Sequence, residues 1–332
     1  MNRYLGNDGQ IRGAEHLTLH GGKGEGMDFI YLRNGLGLDA WISLDRAGDI
    51  ARLTYKGANM GFFGPCGHVG SKYYDDKGIG FLKSMSGGFL VTCGLTNVGA
   101  PCVDNGEELP QHGTLSNLPA KLLAAEEVEG GIRVALEIND ATLFGKKLMM
   151  KREYFFSYTE NKFTVTDTVT NEGDLESPYM ILYHCNMGYP LLSETSKVAV
   201  PNYSFVPRDE EAAKYPNDAL QMEKPQDRFA ERCYFYDVAE NDGIAKVGIF
   251  NEGVGGMIMK YKKCDLPCFT EWKMMGKRDY VLGMEPGNCT PLGRDKMRER
   301  GILRFLSPDE SGQTAVEFSF VDEETEFDKN LK

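Results

Sequence analysis

An all-β fold, a large antiparallel β-sandwich with few short helices, is the architecture this sequence predicts. Three observations predict it. Turn signals made of Gly, Asn and Asp recur at short intervals through 332 residues that include 39 glycines. The segments between them alternate in polarity with period 2, the spacing of a strand that buries one face. Strands do not alternate with helical stretches, so a parallel sheet built from βαβ units is not indicated.

The turns come first in the argument because they delimit the strands. They include Asn7-Asp8-Gly9, Asn34-Gly35, Glu129-Gly130-Gly131, Asn171-Glu172-Gly173-Asp174 and Asn251-Glu252-Gly253. Between two of them, Ile132 to Ile138 alternates apolar residues with small or polar ones. From Phe163 to Thr170, Phe163, Val165, Asp167 and Val169 share one face, and Thr164, Thr166, Thr168 and Thr170 form the other. Lys147 to Ser157, Phe163 to Thr170 and Pro178 to His184 read as three successive strands of an antiparallel meander, joined by short polar turns. Short helices are expected at Asp209 to Tyr215 and Arg294 to Arg300. No shift in composition marks a boundary, so residues 1–332 are expected to form one domain. Residues 1–25 are expected to pack on it as an N-terminal segment, and the acidic, then polar tail 322–332 is expected to fray.

Composition narrows the functional classes. The formal net charge is −12 and the Lys and Arg residues are scattered, which disfavours nucleic acid, whose phosphates require clustered cations. The start of the chain lacks the apolar core of a secretory signal, and no run of apolar residues is long enough to span a bilayer. A cytoplasmic protein without a membrane partner is expected. In that setting the eight cysteines are expected to be free thiols. Cys264 and Cys268 form the one close pair, and no second pair completes a zinc site. No metal site is expected. His16 and His20 face the same way on a strand but lack a third ligand, and are read as a solvated face.

Acid/base chemistry is the remaining signal. Histidine titrates nearest neutral pH, and the chain has five. His184 closes the apolar strand Met180-Ile181-Leu182-Tyr183 and precedes a Gly-x-Pro turn, a place where a sheet presents side chains to a cleft. His112 lies in the polar loop Leu109-Pro110-Gln111-His112-Gly113, and loops carry binding residues more often than cores do. Glu285 ends the apolar run Tyr280 to Met284 and is followed at once by Pro286 and Gly287, which would hold it near a rim.

Taken in order, these segments resemble the galactose mutarotase-like superfamily, and in particular its aldose 1-epimerase branch of unknown function. The resemblance spans nearly the whole chain. It is carried by Leu44-Asp45-Arg46-Ala47-Gly48-Asp49-Ile50, by Leu53-Thr54-Tyr55-Lys56-Gly57, by Gly87-Gly88-Phe89-Leu90-Val91-Thr92-Cys93-Gly94-Leu95-Thr96-Asn97-Val98-Gly99, by the His112-Gly113 loop, by His184 and by Glu285-Pro286. It implies a supersandwich fold with a cleft on a concave sheet, and an isomerase that interconverts sugar anomers. By position it makes Glu285 the base that takes the C1 hydroxyl proton and His184 the acid that protonates the ring oxygen. His112 becomes a second histidine on the sugar, and Arg46 a residue bordering the cleft. Gln111, Asn186, Trp272, Lys273 and Asn288 are further candidate contacts, with the Trp272 indole a surface on which a sugar face could stack. Lys72, Lys83 and Lys273 are candidates to meet an anionic group on the sugar, with a surface role the plainer reading. A small-molecule carbohydrate is the implied partner, without cofactor, and a monomer or homodimer is expected.

Two segments differ from the better-known galactose mutarotases. His184 is followed by Cys185-Asn186-Met187-Gly188 where those enzymes carry an aromatic-Asn-Leu turn. Glu285 is followed by Pro286-Gly287-Asn288 where they carry Pro-Asp-Ala-x-Asn. Two other readings therefore stay open at this level: a lyase or isomerase acting on a sugar acid or keto-sugar in the same cleft, and a carbohydrate-binding protein without turnover.

Overall fold

Side-chain alternation along the strands decides the layers of this protein, whose computed structural model describes residues 3–332. A nine-stranded antiparallel sheet runs in the order Ala120–Val128, Gly131–Ala141, Lys147–Ser157, Lys162–Asn171, Ser311–Val321, Gly255–Lys262, Ile244–Asn251 and Lys197–Ala199, with Glu240–Asn241 beside Ile244–Asn251. A seven-stranded antiparallel sheet packs against it. Its order is Tyr203–Pro207, Arg232–Val238, Cys268–Gly276, Asp279–Gly287, Ser177–Met187 and Arg304–Leu306, and Leu90–Leu95 also pairs with Ser177–Met187. A five-stranded sheet, Gly13–Thr18, Asp28–Arg33, Leu38–Ser43, Asp49–Tyr55 and Ala58–Asn59, closes one end. The predicted all-β sandwich is what the chain forms, with three short α-helices among the described residues: Glu210–Ala213, Arg294–Glu299 and Glu324–Leu331. Two of them lie where the sequence places helices.

The face of Lys162–Asn171 that carries Phe163, Val165, Asp167 and Val169 is buried, as the alternation predicts. Phe163 stacks on Phe156 and Phe318, with ring centroids 4.6 and 4.9 Å apart. One charged residue sits where the three large sheets meet. Arg152 is fully buried and grips Asp167 with two hydrogen bonds of 2.8 and 2.7 Å. It also donates to Asp49 Oδ1 at 2.7 Å and to Thr92 Oγ1 at 2.7 Å. Asp167 belongs to the nine-stranded sheet, Thr92 to the seven-stranded sheet and Asp49 to the five-stranded sheet. Tyr183 Oη donates to the same Asp167 carboxylate at 2.8 Å, so the network reaches the strand that carries His184.

The structure corrects four expectations. The predicted meander breaks after its second strand: Lys162–Asn171 pairs next with Ser311–Val321, and Ser177–Met187 crosses into the other sheet. That third strand is buried on nearly every position, so it needs neighbours on both edges and a layer on both faces. Second, neither His184 nor Glu285 ends its strand, because the ladder continues to Met187 and to Gly287. Third, the N-terminal segment expected to pack on the domain joins one of its sheets: it supplies Gly13–Thr18, an edge strand paired with Asp28–Arg33. Fourth, the tail expected to fray ends in the helix Glu324–Leu331. Phe327 is fully buried in a small core with Phe250, Ile258 and Val321, and Lys197 reaches Glu324 and Asp328 at 2.8 and 2.7 Å. Two apolar residues four apart in a polar tail suffice once a sheet face is there to receive them. Phe327→Ala is expected to cost about 3–5 kcal/mol, read as a lower urea midpoint for the whole chain.

Candidate active site

Three adjacent strands of the seven-stranded sheet, Cys268–Gly276, Asp279–Gly287 and Ser177–Met187, form the floor of a cavity of about 540 Å³. Register decides what meets there. Leu182 pairs with Gly287 and Cys185 with Met284, which sets His184 opposite Glu285 across the ladder. His184 Nε2 and Glu285 Oε1 are 3.1 Å apart, and both side chains are almost fully buried. The contact is close but not aligned as a hydrogen bond, which leaves Glu285 Oε1 without a partner, and the other ring nitrogen, His184 Nδ1, has none either. On the far side of Glu285, Trp272 lies diagonally on the neighbouring strand, with its indole edge to face with the His184 ring at 5.4 Å. Gly283, directly opposite Trp272, leaves the room this requires: a Cβ there would lie 2.3 Å from Glu285 Oε1 and 3.1 Å from Trp272 Cβ.

Loops raise the walls. His112 follows the hairpin Cys102–Asp104 and Glu107–Leu109, and its ring stands 5.5 Å from that of His184. The backbone N–H of Gly99 donates to His112 Nδ1 at 3.3 Å, so in the neutral ring the proton sits on Nε2. The loop threads tightly at Gly113, which has φ +71 and whose Cβ would come 2.2 Å from the Gly94 carbonyl oxygen. The hairpin is anchored from below, since Arg294 and Arg298 bind Asp104 at 2.6 and 2.7 Å. On the opposite wall Trp272 Nε1 donates to Glu231 at 2.8 Å, and Glu231 takes a second bond from Arg208 at 2.8 Å. Arg208 also donates to Asp209 at 2.8 Å.

Electrostatics follow from burial. The His184 imidazole is pushed down to about 3, first by burial and then by the neighbouring His112, with Asn186 opposing. His112 is pushed down to about 4 by burial, with Glu231 opposing. Burial, reinforced by Glu231, raises the Glu285 carboxyl well above its ordinary value, and Arg208 opposes this. Burial disfavours the charge on both members, so when the pair holds one proton the neutral form, with that proton on Glu285, is favoured over the ion pair. Such a pair can pass that proton between its members and exchange it with a bound molecule.

The structure brings His184, Glu285, His112, Gln111 and Trp272 to this one cavity. It sends six other sequence candidates elsewhere. Lys273 follows Trp272 directly, and period-2 alternation puts it on the opposite face, where its ammonium binds the carbonyls of Asp218 and Gln221 and the Glu223 carboxylate. Arg46 is buried and donates to the carbonyls of Ser116, Val69 and Ser84, so it ties three loops together away from the cavity. Asn288 hydrogen-bonds the backbone of Ile181 and Tyr179, standing in for a ladder partner beyond the strand end. Asn186 lies on the His184 face but turns its amide to the His184 carbonyl at 2.9 Å and does not line the cavity. Lys72 and Lys83 are bound to Glu25 and Asp75 on the surface. Sequence reasoning missed Arg208, Glu231 and Cys233, together with the apolar wall around Phe81. Arg208 and Glu231 flank two strands that pair only in three dimensions, and no local pattern separates them from other surface charges.

Among the described residues no group of His, Cys, Asp and Glu gathers to hold a metal ion, and no helix is long and apolar enough to cross a membrane. The eight cysteines carry free thiols.

Solved structures resemble the fold over almost the whole chain. A candidate aldose 1-epimerase of Klebsiella pneumoniae superposes with a TM-score of 0.87 at 23% identity, over 96% of this chain and 85% of that one. A galactose mutarotase-like protein of Clostridium acetobutylicum gives 0.68 at 12% identity, over 95% and 100% of the two chains. Galactose 1-epimerase of Lactobacillus acidophilus gives 0.64 at 14% identity, over 92% and 98%. A search of curated proteins gives no match. The profile of the family described as a domain of unknown function, DUF4432, matches residues 24–320, and the chain therefore belongs to that family, with the fold of the galactose mutarotase-like superfamily.

Proposed function

We propose that this protein is an aldose 1-epimerase-type isomerase that interconverts the anomers of a free sugar with Glu285 and His184. The observation that carries this reading is the unpartnered carboxyl–imidazole contact of 3.1 Å on the floor of a buried cavity. Ring opening needs a base at the C1 hydroxyl and an acid at the ring oxygen, and one proton shared by this pair serves both. With the proton on His184, the Glu285 carboxylate takes the hydroxyl proton while the imidazolium protonates the ring oxygen. The bond between C1 and the ring oxygen breaks, and the aldehyde forms. The pair is then a neutral carboxyl and a neutral imidazole, the state that burial favours. Rotation about C1–C2 and the reverse transfers close the ring on the other face. Relaxation of an ion pair to a neutral pair in a site of low polarity thus runs in the direction of opening. His112, with its proton on Nε2, is a donor for a sugar oxygen, and Trp272 is a stacking surface. A candidate aldose 1-epimerase and a galactose 1-epimerase share the fold, which supports this reading.

The test is anomeric exchange followed by NMR on freshly dissolved single anomers over a panel of free sugars. At least one sugar is expected to equilibrate faster than in buffer. If none does, the epimerase reading falls.

The pH dependence has a definite form. The active pair carries one proton in total. It gains a second only when pH falls toward the lowered imidazole value, near 3. It loses its one proton only when pH rises through the raised Glu285 value. We therefore expect kcat/KM to fall on the acid side only toward the lowered imidazole value and on the alkaline side only as pH rises through the raised Glu285 value, with no step at the ordinary carboxylate pKa. A step at the ordinary glutamate value of about 4.3 would contradict this account.

A further inference from the structure

We infer that the cavity selects a neutral sugar whose end remote from C1 is apolar, a deoxy or alkylated sugar in preference to a fully hydroxylated or anionic one; this rests on the acid/base reading of His184 and Glu285.

Two features of the cavity carry the inference. The first is the distribution of polarity. The sheet-borne floor holds the acid and base, but the loop-borne wall is made by Ile79, Phe81, Leu82, Met85, Pro101 and Leu292, none of which offers a polar side-chain atom. Phe81 is buried and packs its ring 5.1 Å from that of His112, so the wall begins beside the acid/base cluster. Ile79 and Leu82 are 64% and 51% exposed at its rim and extend the apolar wall to the mouth of the cavity. The polar side chains left to bind hydroxyls are few. Glu285 and His184 take the C1 hydroxyl and the ring oxygen, which leaves His112, Gln111, whose Oε1 is buried without a partner, and the bonded Arg208–Glu231 pair, none of them part of the apolar wall. A hydroxyl pressed on that wall would go unpaired.

The second feature is charge. Among the described residues Arg208 is the one Lys or Arg that lines the cavity, and its guanidinium already donates through Nε to Asp209 and through Nη2 to Glu231, each at 2.8 Å. With Glu231 itself in the lining, the local balance is negative. A phosphate or carboxylate on the sugar would meet a guanidinium already paired with two carboxylates, one of them facing the same cavity. The lysines the sequence suggested for such a group are held elsewhere, Lys273 on the far face of its strand and Lys72 and Lys83 on the surface.

The experiment compares matched pairs by exchange NMR: D-galactose with 6-deoxy-D-galactose, L-mannose with 6-deoxy-L-mannose, and D-glucose with 6-deoxy-D-glucose, alongside glucose 6-phosphate and glucuronate. In the preferred pair the deoxy sugar is expected to have the higher kcat/KM by about ten- to a hundred-fold, the discrimination an apolar pocket supports for one group. The anionic sugars should be the poorest substrates. Leu82→Ser should shrink the deoxy preference, since it places a hydroxyl in the wall. A higher kcat/KM for the hydroxylated member of every pair, or for an anionic sugar, overturns the inference while leaving the epimerase reading intact. If no sugar is turned over, the epimerase reading fails, and the wall is judged by binding alone. The same panel is then titrated against wild type and followed by indole fluorescence. Tighter binding of the deoxy members upholds the selectivity, and equal, reversed or absent binding overturns it.

Discussion

Glu285→Gln is expected to slow anomeric exchange by about 10²–10⁴-fold, the usual worth of a positioned proton-transfer group. The amide keeps the shape and volume of the carboxyl, so the packing against Gly283 and Trp272 should persist. What it cannot do is take the C1 proton. The loss should appear in kcat with KM little changed, because the hydroxyl can still hydrogen-bond an amide in the ground state. Since burial disfavours the charge on Glu285, a neutral amide of the same shape should leave stability level or raise it slightly. His184→Gln should show a loss of similar size. The double variant should be little worse than either alone, since the two residues share one proton and act as a unit. Full activity in Glu285→Gln would remove the carboxyl from the base role, and a collapse in stability would mean that it holds the sheet together instead.

Arg152→Met should cost about 3–5 kcal/mol of stability, seen as a lower urea midpoint. Met fills much of the same volume but strands two buried carboxylates, Asp167 and Asp49, that now share the guanidinium. The sign of the pH effect follows. Burial already pushes the Asp49 carboxyl up against the pull of Arg152, and without the guanidinium it rises further, so protonating Asp49 relieves uncompensated charge and the deficit against wild type should shrink as pH falls. Adding Asp167→Leu should recover part of the loss, because removing both partners of a buried pair costs less than removing one. Activity should fall with stability, since Asp167 also accepts from Tyr183, the residue before His184. If Arg152→Met unfolds at the wild-type midpoint, the three sheets are joined by apolar packing alone.

Much of the fold was legible because the signal is local. Period-2 alternation from Phe163 to Thr170 names the buried face before any partner is known, since a strand turns successive side chains to opposite sides. The Asn171-to-Asp174 turn is equally local, and it does end a strand. What the turn could not tell is where the chain goes next. The continuation to Ser177–Met187 crosses to another sheet, and the vacant edge is taken by Ser311–Val321, far along the chain. A pairing of that kind is decided by which apolar faces must be covered, which is a property of the whole core. The helix at the C-terminus was missed for a related reason. Its sequence is polar and short, and its stability comes from Phe327 and Leu331 meeting a sheet face that the sequence does not display.

The candidate site divides the same way. His184 and Glu285 stood out in the sequence as polar residues attached to apolar strands, and His112 as a histidine in a glycine-containing loop. Their residue types alone indicated acid/base chemistry. Only the tertiary structure set them opposite one another, because a register shift of one residue would turn either side chain to the other face. It also separated Trp272 from its neighbour Lys273, and it sent Arg46 and Asn288 to backbone carbonyls. Finally, it placed Arg208 and Glu231 on the wall through contacts between segments distant in sequence. By itself the sequence determined the strands, their buried faces and the chemical kinds of the functional groups, since each depends on a few consecutive residues. Which groups share the cavity, and which of their protons burial holds in place, was decided by long-range pairing and desolvation, which exist only in the assembled fold.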